Sequence, residues 1–332
     1  MVHLRNSVTA SALAAGLLLL TACGSDGGSS AEGSGDAVRV GVLFAGSVSD
    51  QGFMQSAHLG YLRAGKAHQG KARLTMVEQI PAADYEAALV RFAGSSDLVI
   101  SLGGQTDASV RKVAPRFPEV KFVEIGGPAD GKPLANLGLY DPQQAEAAFL
   151  SGASAALLSK KGTVGFVGGA ELPAIVNAAE EFANGAKAAK PGVRVLPPQY
   201  PGDFNDVAKA KQSALADFGA GADVLGQVLN LGQKGLAQAA SQRGGRIVGG
   251  PIPAECGSAP AYAGYVKTDI GAEIEYAVAH ALDGTWKAEN VKFGLTADKP
   301  ASDLLVCGAD AATRRKLDEL KQRIATGKIT TL

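Results

Sequence analysis

The chain has 332 residues, with 32 Lys and Arg against 32 Asp and Glu, so its net charge is +0. That balance excludes a basic field able to hold nucleic acid, and it excludes an acidic tail. With 46% hydrophobic and 19% charged residues and abundant Ala and Gly, the composition is that of a compact α/β protein. Beyond the first 37 residues the chain is long enough for two medium domains or one large one.

The opening segment "MVHLRNSVTASALAAGLLLLTAC" has a basic start (Arg5), a short apolar run and a small-residue exit, the layout of a secretory signal. The run is too short for a membrane span, which needs about 20 residues. Its exit "LTAC", Leu20 to Cys23, resembles the lipobox of bacterial lipoproteins, which implies cleavage before Cys23 and diacylation of its sulfur. The alternative is an ordinary signal with a chance cysteine. Then "GSDGGSSAEGSGDA" holds no apolar residue larger than Ala, as a flexible tether would. Residues 1–22 are therefore expected to be a lipoprotein signal peptide and 23–37 a tether, on a protein lipid-anchored at the extracytoplasmic face of the cell membrane. Two other cysteines, Cys256 and Cys307, either pair, as leftover cysteines of exported proteins do, or stay as buried thiols.

Strand-length apolar runs then alternate with amphipathic segments of helix length. Residues 38–45, 72–80, 97–104, 120–127 and 136–141 read as strands, with "FMQSAHLGYLRAGKAHQ", "ADYEAALVRFAGS" and "TDASVRKVAPRF" as helices between them. After the helix "PQQAEAAFLSGASAALLS" the pattern repeats, with strands at 162–169, 193–200, 223–229, 246–252 and 262–269. "PAIVNAAEEFANGAKAAK", "DVAKAKQSALADFGAG" and "KGLAQAASQRG" are the intervening helices, and "IGAEIEYAVAHALDGTW" follows. Strands apolar on both faces and separated by helices imply parallel sheets covered on both sides. "KGTVGFVGG" echoes "AVRVGVLFAG", as if each opened the sheet of its own lobe. Two such lobes form a cleft at the carboxyl ends of their strands, where open α/β sheets put ligands.

Motifs for chemistry are missing. "GFVGGAELP" lacks the G-x-G-x-x-G spacing, and there is no P-loop, H-E-x-x-H or G-x-S-x-G. The four histidines, His3, His58, His68 and His280, are scattered, and His58 and His68 read as solvated. No catalytic residue, metal or cofactor is expected.

Three stretches in order, "DQGFMQSAHLG", "EAAFLSGASAALLSKKGTVGFVGG" and "GDFNDVAKAKQSALADFGAGADVLGQV", resemble the basic membrane lipoprotein family. These are purine nucleoside receptor-like substrate-binding proteins of ABC importers, and the resemblance runs from about residue 38 to about residue 300. It implies a type I periplasmic binding protein, with two doubly wound parallel-sheet lobes joined by a hinge. Lobe one would comprise 38–143 plus about 268–300, and lobe two 144–267 plus about 301–332.

The resemblance also implies a ligand set. Relatives show Asp-x-x-Phe-Asn-Gln in the first loop, which Asp50 and Phe53 match while Met54 stands in the Asn place. A thioether accepts hydrogen bonds poorly and donates none. Phe204 of "GDFND" matches an aromatic of the second lobe, so that Phe53 and Phe204 would sandwich a flat ligand. Phe53 as a helix staple and Phe204 as a buried loop anchor are the alternatives. Lys267 matches a lysine near the ribose, but Pro251 occupies the place of the Asp that grips the ribose hydroxyls, and Glu255 could replace that carboxylate or only cap a loop. Leu229 and Asn230 stand where relatives have bare glycine backbone, and Gln105 either takes a polar role or faces solvent.

The ligand-binding expectation is thus Asp50, Phe53, Met54, Gln105, Phe204, Asn230 and Lys267. The protein is expected to be a monomer that captures a purine nucleoside or related heteroaromatic compound for ABC permease subunits. It would bind no nucleic acid and would not be an enzyme. The alternatives are a sensor of the same fold signalling to a membrane kinase, a non-nucleoside ligand, or an extracytoplasmic hydrolase or transferase.

Overall fold

A computed structural model describes residues 37–128, 130–295 and 301–332. The expected signal peptide, Cys23 and nearly all of the tether lie outside the described residues. Residues 36–332 form one unit, built on two six-stranded sheets.

The first sheet comes from the first run of strands. β1 (Val38–Phe44), β2 (Ala72–Glu78), β3 (Leu98–Leu102), β4 (Lys121–Ile125) and β5 (Leu137–Asp141) are joined in the order β5-β4-β3-β1-β2. All pair in parallel, with Val42 opposite Ile100 and Ile100 opposite Val123. Every residue of β3 is buried, the mark of a strand covered on both faces. One face packs α1 (Phe53–Ala67) and α8 (Gly271–Leu282) on Val42, Phe44 and Ile100. The other packs α2 (Tyr85–Ala93) and α3 (Asp107–Val113) on Leu43, Val99 and Phe122.

The second sheet repeats this plan. β6 (Thr163–Gly168), β7 (Arg194–Val195), β8 (Val224–Val228), β9 (Arg246–Gly249) and β10 (Tyr262–Thr268) run in the order β10-β9-β8-β6-β7. α4 (Gln144–Leu158) and α5 (Pro173–Ala189) cover one face through Phe166 and Phe182. α6 (Val207–Gly219) and α7 (Gln233–Arg243) cover the other through Val167, Leu225 and Leu236.

Each sheet also receives a late strand. β11 (Asn290–Lys292) adds in parallel beside β5, and β12 (Ser302–Val306) adds antiparallel beside β10, before the last helix α9 (Ala311–Ala325). The chain therefore passes between lobes three times, after β5, after β10 and after β11. These crossings are tied sideways. The Leu295 N–H donates to the Glu146 carboxylate at 2.7 Å, and the Asp269 N–H donates to the Ala301 carbonyl at 2.8 Å. The Ser56 hydroxyl on α1 donates to the Thr268 carbonyl at 3.0 Å and accepts the Ile270 N–H at 3.1 Å. Cys256 and Cys307 are joined by a disulfide, Cα atoms 5.4 Å apart. His58 is half-buried, its ring against Phe44 and Tyr61, rather than solvated.

Candidate ligand-binding site

Between the lobes, at the carboxyl ends of their strands, lies a cleft with two compartments of about 670 and about 480 Å³, each partly open to solvent. The outer compartment is walled by Phe53 and Met54 from α1, the Gly103–Gln105 and Gly126–Pro128 loops, the start of α5, and Phe204. The inner one is walled by Ala147, Ala148 and Ser151 of α4, Gln227 and Leu229, Pro251, and Val266 and Thr268 of β10. Phe53, Gln144, Val228 and Asn230 border both.

The two aromatic rings are seated on glycine. A Cβ on Gly126 would stand 2.8 Å from Phe53 Cζ, and one on Gly169 would stand 2.2 Å from Phe204 Cδ1. Both positions follow the last residue of a strand, so each ring leans on bare backbone at the cleft rim. Met54 is buried in the core of lobe one and shows only an edge to the outer compartment. Gln105 borders the outer compartment and is otherwise exposed.

Two expected residues are placed elsewhere. Asp50 borders neither compartment. Its carboxylate accepts N–H bonds from Gly52 at 2.8 Å, Met54 at 3.2 Å and Gln55 at 3.1 Å, satisfying the donors that the start of α1 leaves unpaired. Burial pushes its carboxyl up, and these three bonds pull the other way. Asp50 is a helix cap here. Lys267 is turned outward by the pleat of β10. Side chains alternate along a strand, so Val266 and Thr268 face the inner compartment while Lys267 is exposed, 3.9 Å from Asp269. Glu255 is exposed and borders neither compartment.

Polar groups come instead from residues that carry no motif. The Gln227 amide is committed to the wall, its Nε2 donating to the Gly250 carbonyl at 3.1 Å and its Oε1 accepting the Leu229 N–H at 2.5 Å. Ser151 Oγ is buried with no hydrogen-bond partner and borders the inner compartment, beside Gln144 and Thr268. Among the described residues, none that borders either compartment carries a formal charge. A charged group entering here would lose its water without gaining a counter-ion, at a cost of several kcal/mol. A flat neutral molecule meets two aromatic faces, amides and hydroxyls.

Comparison with known proteins agrees with this geometry. The family model described as ABC transporter substrate-binding protein PnrA-like matches residues 37–298. A purine-binding protein of Brucella abortus is 27% identical over 78% of this chain and 73% of its own length. An ABC transporter nucleoside-binding protein of Lactococcus lactis is 30% identical over 56% of this chain and 53% of its own. The chain spans 60% of a Listeria innocua relative, a CD4+ T-cell-stimulating antigen. Among solved structures, ABC transporter solute-binding proteins of Aeropyrum pernix and Conexibacter woesei superpose with TM-scores of 0.76 and 0.69 at 21% and 23% identity. Each covers 89% of this chain, and 93% and 99% of its own length. The fold is thus the type I periplasmic binding protein, two doubly wound parallel-sheet lobes joined by a hinge, and the chain belongs to the PnrA-like (Bmp) family of ABC transporter substrate-binding proteins.

Proposed function

We propose that this protein is the lipid-anchored, extracytoplasmic receptor of an ABC importer, and that it captures an uncharged purine nucleoside or related heteroaromatic compound. The observation that carries the reading is a cleft lined, among the described residues, by uncharged side chains, with Phe53 and Phe204 on the walls of one compartment. In this reading the flat ring lies in the outer compartment against the two phenyl faces. The remainder of the ligand reaches Gln144, Ser151 and Thr268 in the inner one. Pro251 leaves no carboxylate there to grip a diol, so hydroxyl recognition rests on neutral groups. Closure by rotation about the three crossings hides the ligand and presents the closed lobes to permease subunits as a monomer.

The test is a thermal-shift and calorimetric series with adenosine, guanosine, inosine, their free bases and their 5′-monophosphates. Neutral nucleosides or bases are expected to stabilise the protein and the monophosphates to fail. Tight binding of a monophosphate, or of an amino acid, would discard the reading. Phe53→Ala and Phe204→Ala are each expected to weaken the best neutral ligand about tenfold or more by calorimetry. Unchanged affinity in both variants would remove the stacking.

A further inference from the structure

Asn230 sits where the lobes touch. Its backbone N–H donates to the Phe204 carbonyl at 3.0 Å, a bond repeated by the Gly232 N–H at 3.0 Å, so the loop after β8 is pinned to the loop that carries the second aromatic. Its side-chain Oδ1 accepts the backbone N–H of Phe53 at 3.2 Å, across the cleft. One residue thus connects the main chains of both aromatic wall residues. Three positions on, Gln233 Nε2 donates to the Gln51 carbonyl at 2.9 Å, a second bond between the same two loops. Gly52, between Gln51 and Phe53, makes room for this contact. A Cβ there would stand 2.0 Å from Asn230 Oδ1 and 2.9 Å from Asn230 Cα, distances that no side-chain rotation alone relieves because one is to backbone.

We propose that Asn230, with Gln233, is a latch that holds the lobes closed and fixes Phe53 relative to Phe204. Asn230 is then a positioning residue. Its bonds join protein atoms to protein atoms, so they favour closure whatever fills the cleft. A hydrogen bond removed from such a contact shifts the closed-to-open ratio about two- to tenfold. Asp at this position keeps the acceptor, and its charge faces the amino end of α1, where a helix dipole favours an anion.

The experiment needs no ligand and therefore fails separately from the nucleoside reading. Nitroxides on encoded amino acids replace Leu62 on α1 and Val176 on α5, both exposed and on opposite lobes. Double electron–electron resonance on the ligand-free full chain then reports the closed fraction. Asn230→Leu and Gly52→Ala, on opposite sides of the latch, are each expected to lower the closed-to-open ratio at least twofold. Asn230→Asp should remain within about twofold of the wild type, with far-UV circular dichroism alike in all four proteins. Identical distance distributions in the four overturn the latch. So does an Asn230→Asp protein as open as Asn230→Leu.

Discussion

Two carboxyl groups are walled into lobe one, Glu124 on β4 and Glu273 on α8, both fully buried. Glu124 lies against the Gly127 backbone and shares a small side cavity with Asp141 and Lys292. Burial pushes it up to about 8, with Asp107 adding to the rise and Arg111 opposing it. Glu273, with neither oxygen hydrogen-bonded, is pushed well above the usual range by burial, and Asp141, Glu124 and Asp269 add to it. Burial favours the protonated form of both in the folded chain, while both ionise in the unfolded one, so the folded state binds more protons there. Stability from these groups is full below the ordinary glutamate range and is lost as pH rises toward 8. Melting temperature should therefore fall between pH 5 and pH 8. Glu124→Gln should flatten that slope, because it removes a group that holds its proton through neutral pH only in the folded chain. A variant with the wild-type slope would move the effect to other groups. At this scale the cleft was half legible. Phe53 and Phe204, readable from a matched motif, border the cleft, whereas the alternation Val266, Lys267, Thr268 turns the Lys267 side chain away from it. Ser151 and Gln144 carry no local signal, because only the packing of α4 beside β8 and β10 brings them to the cleft.

For single elements the periodic signal was strong. Helices of amphipathic spacing and most strands of apolar residues fall where the patterns put them, but the strand expected over 193–200 shrinks to Arg194–Val195, because Pro197 and Pro198 cannot donate to a ladder. β11 makes no pattern because only Val291 of its three residues is partly buried, and β12 is a short edge strand in which exposed Asp303 and Leu305 alternate with half-buried Leu304 and Val306. α9, with Asp310 capping it and Leu317, Leu320 and Ile324 at helical spacing, stands outside the strand–helix alternation because no strand follows it. The start of α1 depends on one side chain. Asp50→Ala would leave three N–H groups of a buried helix start without their acceptor, and should lower stability by about 2 kcal/mol in urea unfolding. If Asp50 instead served mainly the ligand, affinity would fall and the unfolding midpoint would not.

Across the whole molecule the disulfide is the longest covalent shortcut. Cys256 and Cys307 are 51 residues apart in sequence, and the chain between them leaves lobe two, builds α8 and β11 in lobe one, and returns. Closing a loop of that length removes freedom from the unfolded chain worth about 4 kcal/mol by loop-entropy arithmetic. Cys307→Ser should lower the unfolding free energy by about 2–4 kcal/mol, and a loss under 1 kcal/mol would mean the unfolded chain is already held compact. The three crossings have a different consequence. The Glu146 carboxylate accepts the Leu295 N–H at one end of the third crossing, and the Asp269 N–H donates to the Ala301 carbonyl at the other, so the described ends of the crossings are tied to their neighbours. Such ties would oppose torsion between the lobes more than bending, and would favour one register where the two halves of the pocket meet. Loosening the Glu146 tie would leave the average opening where it was and blur it, and a receptor with a blurred rim would lose discrimination before it lost affinity.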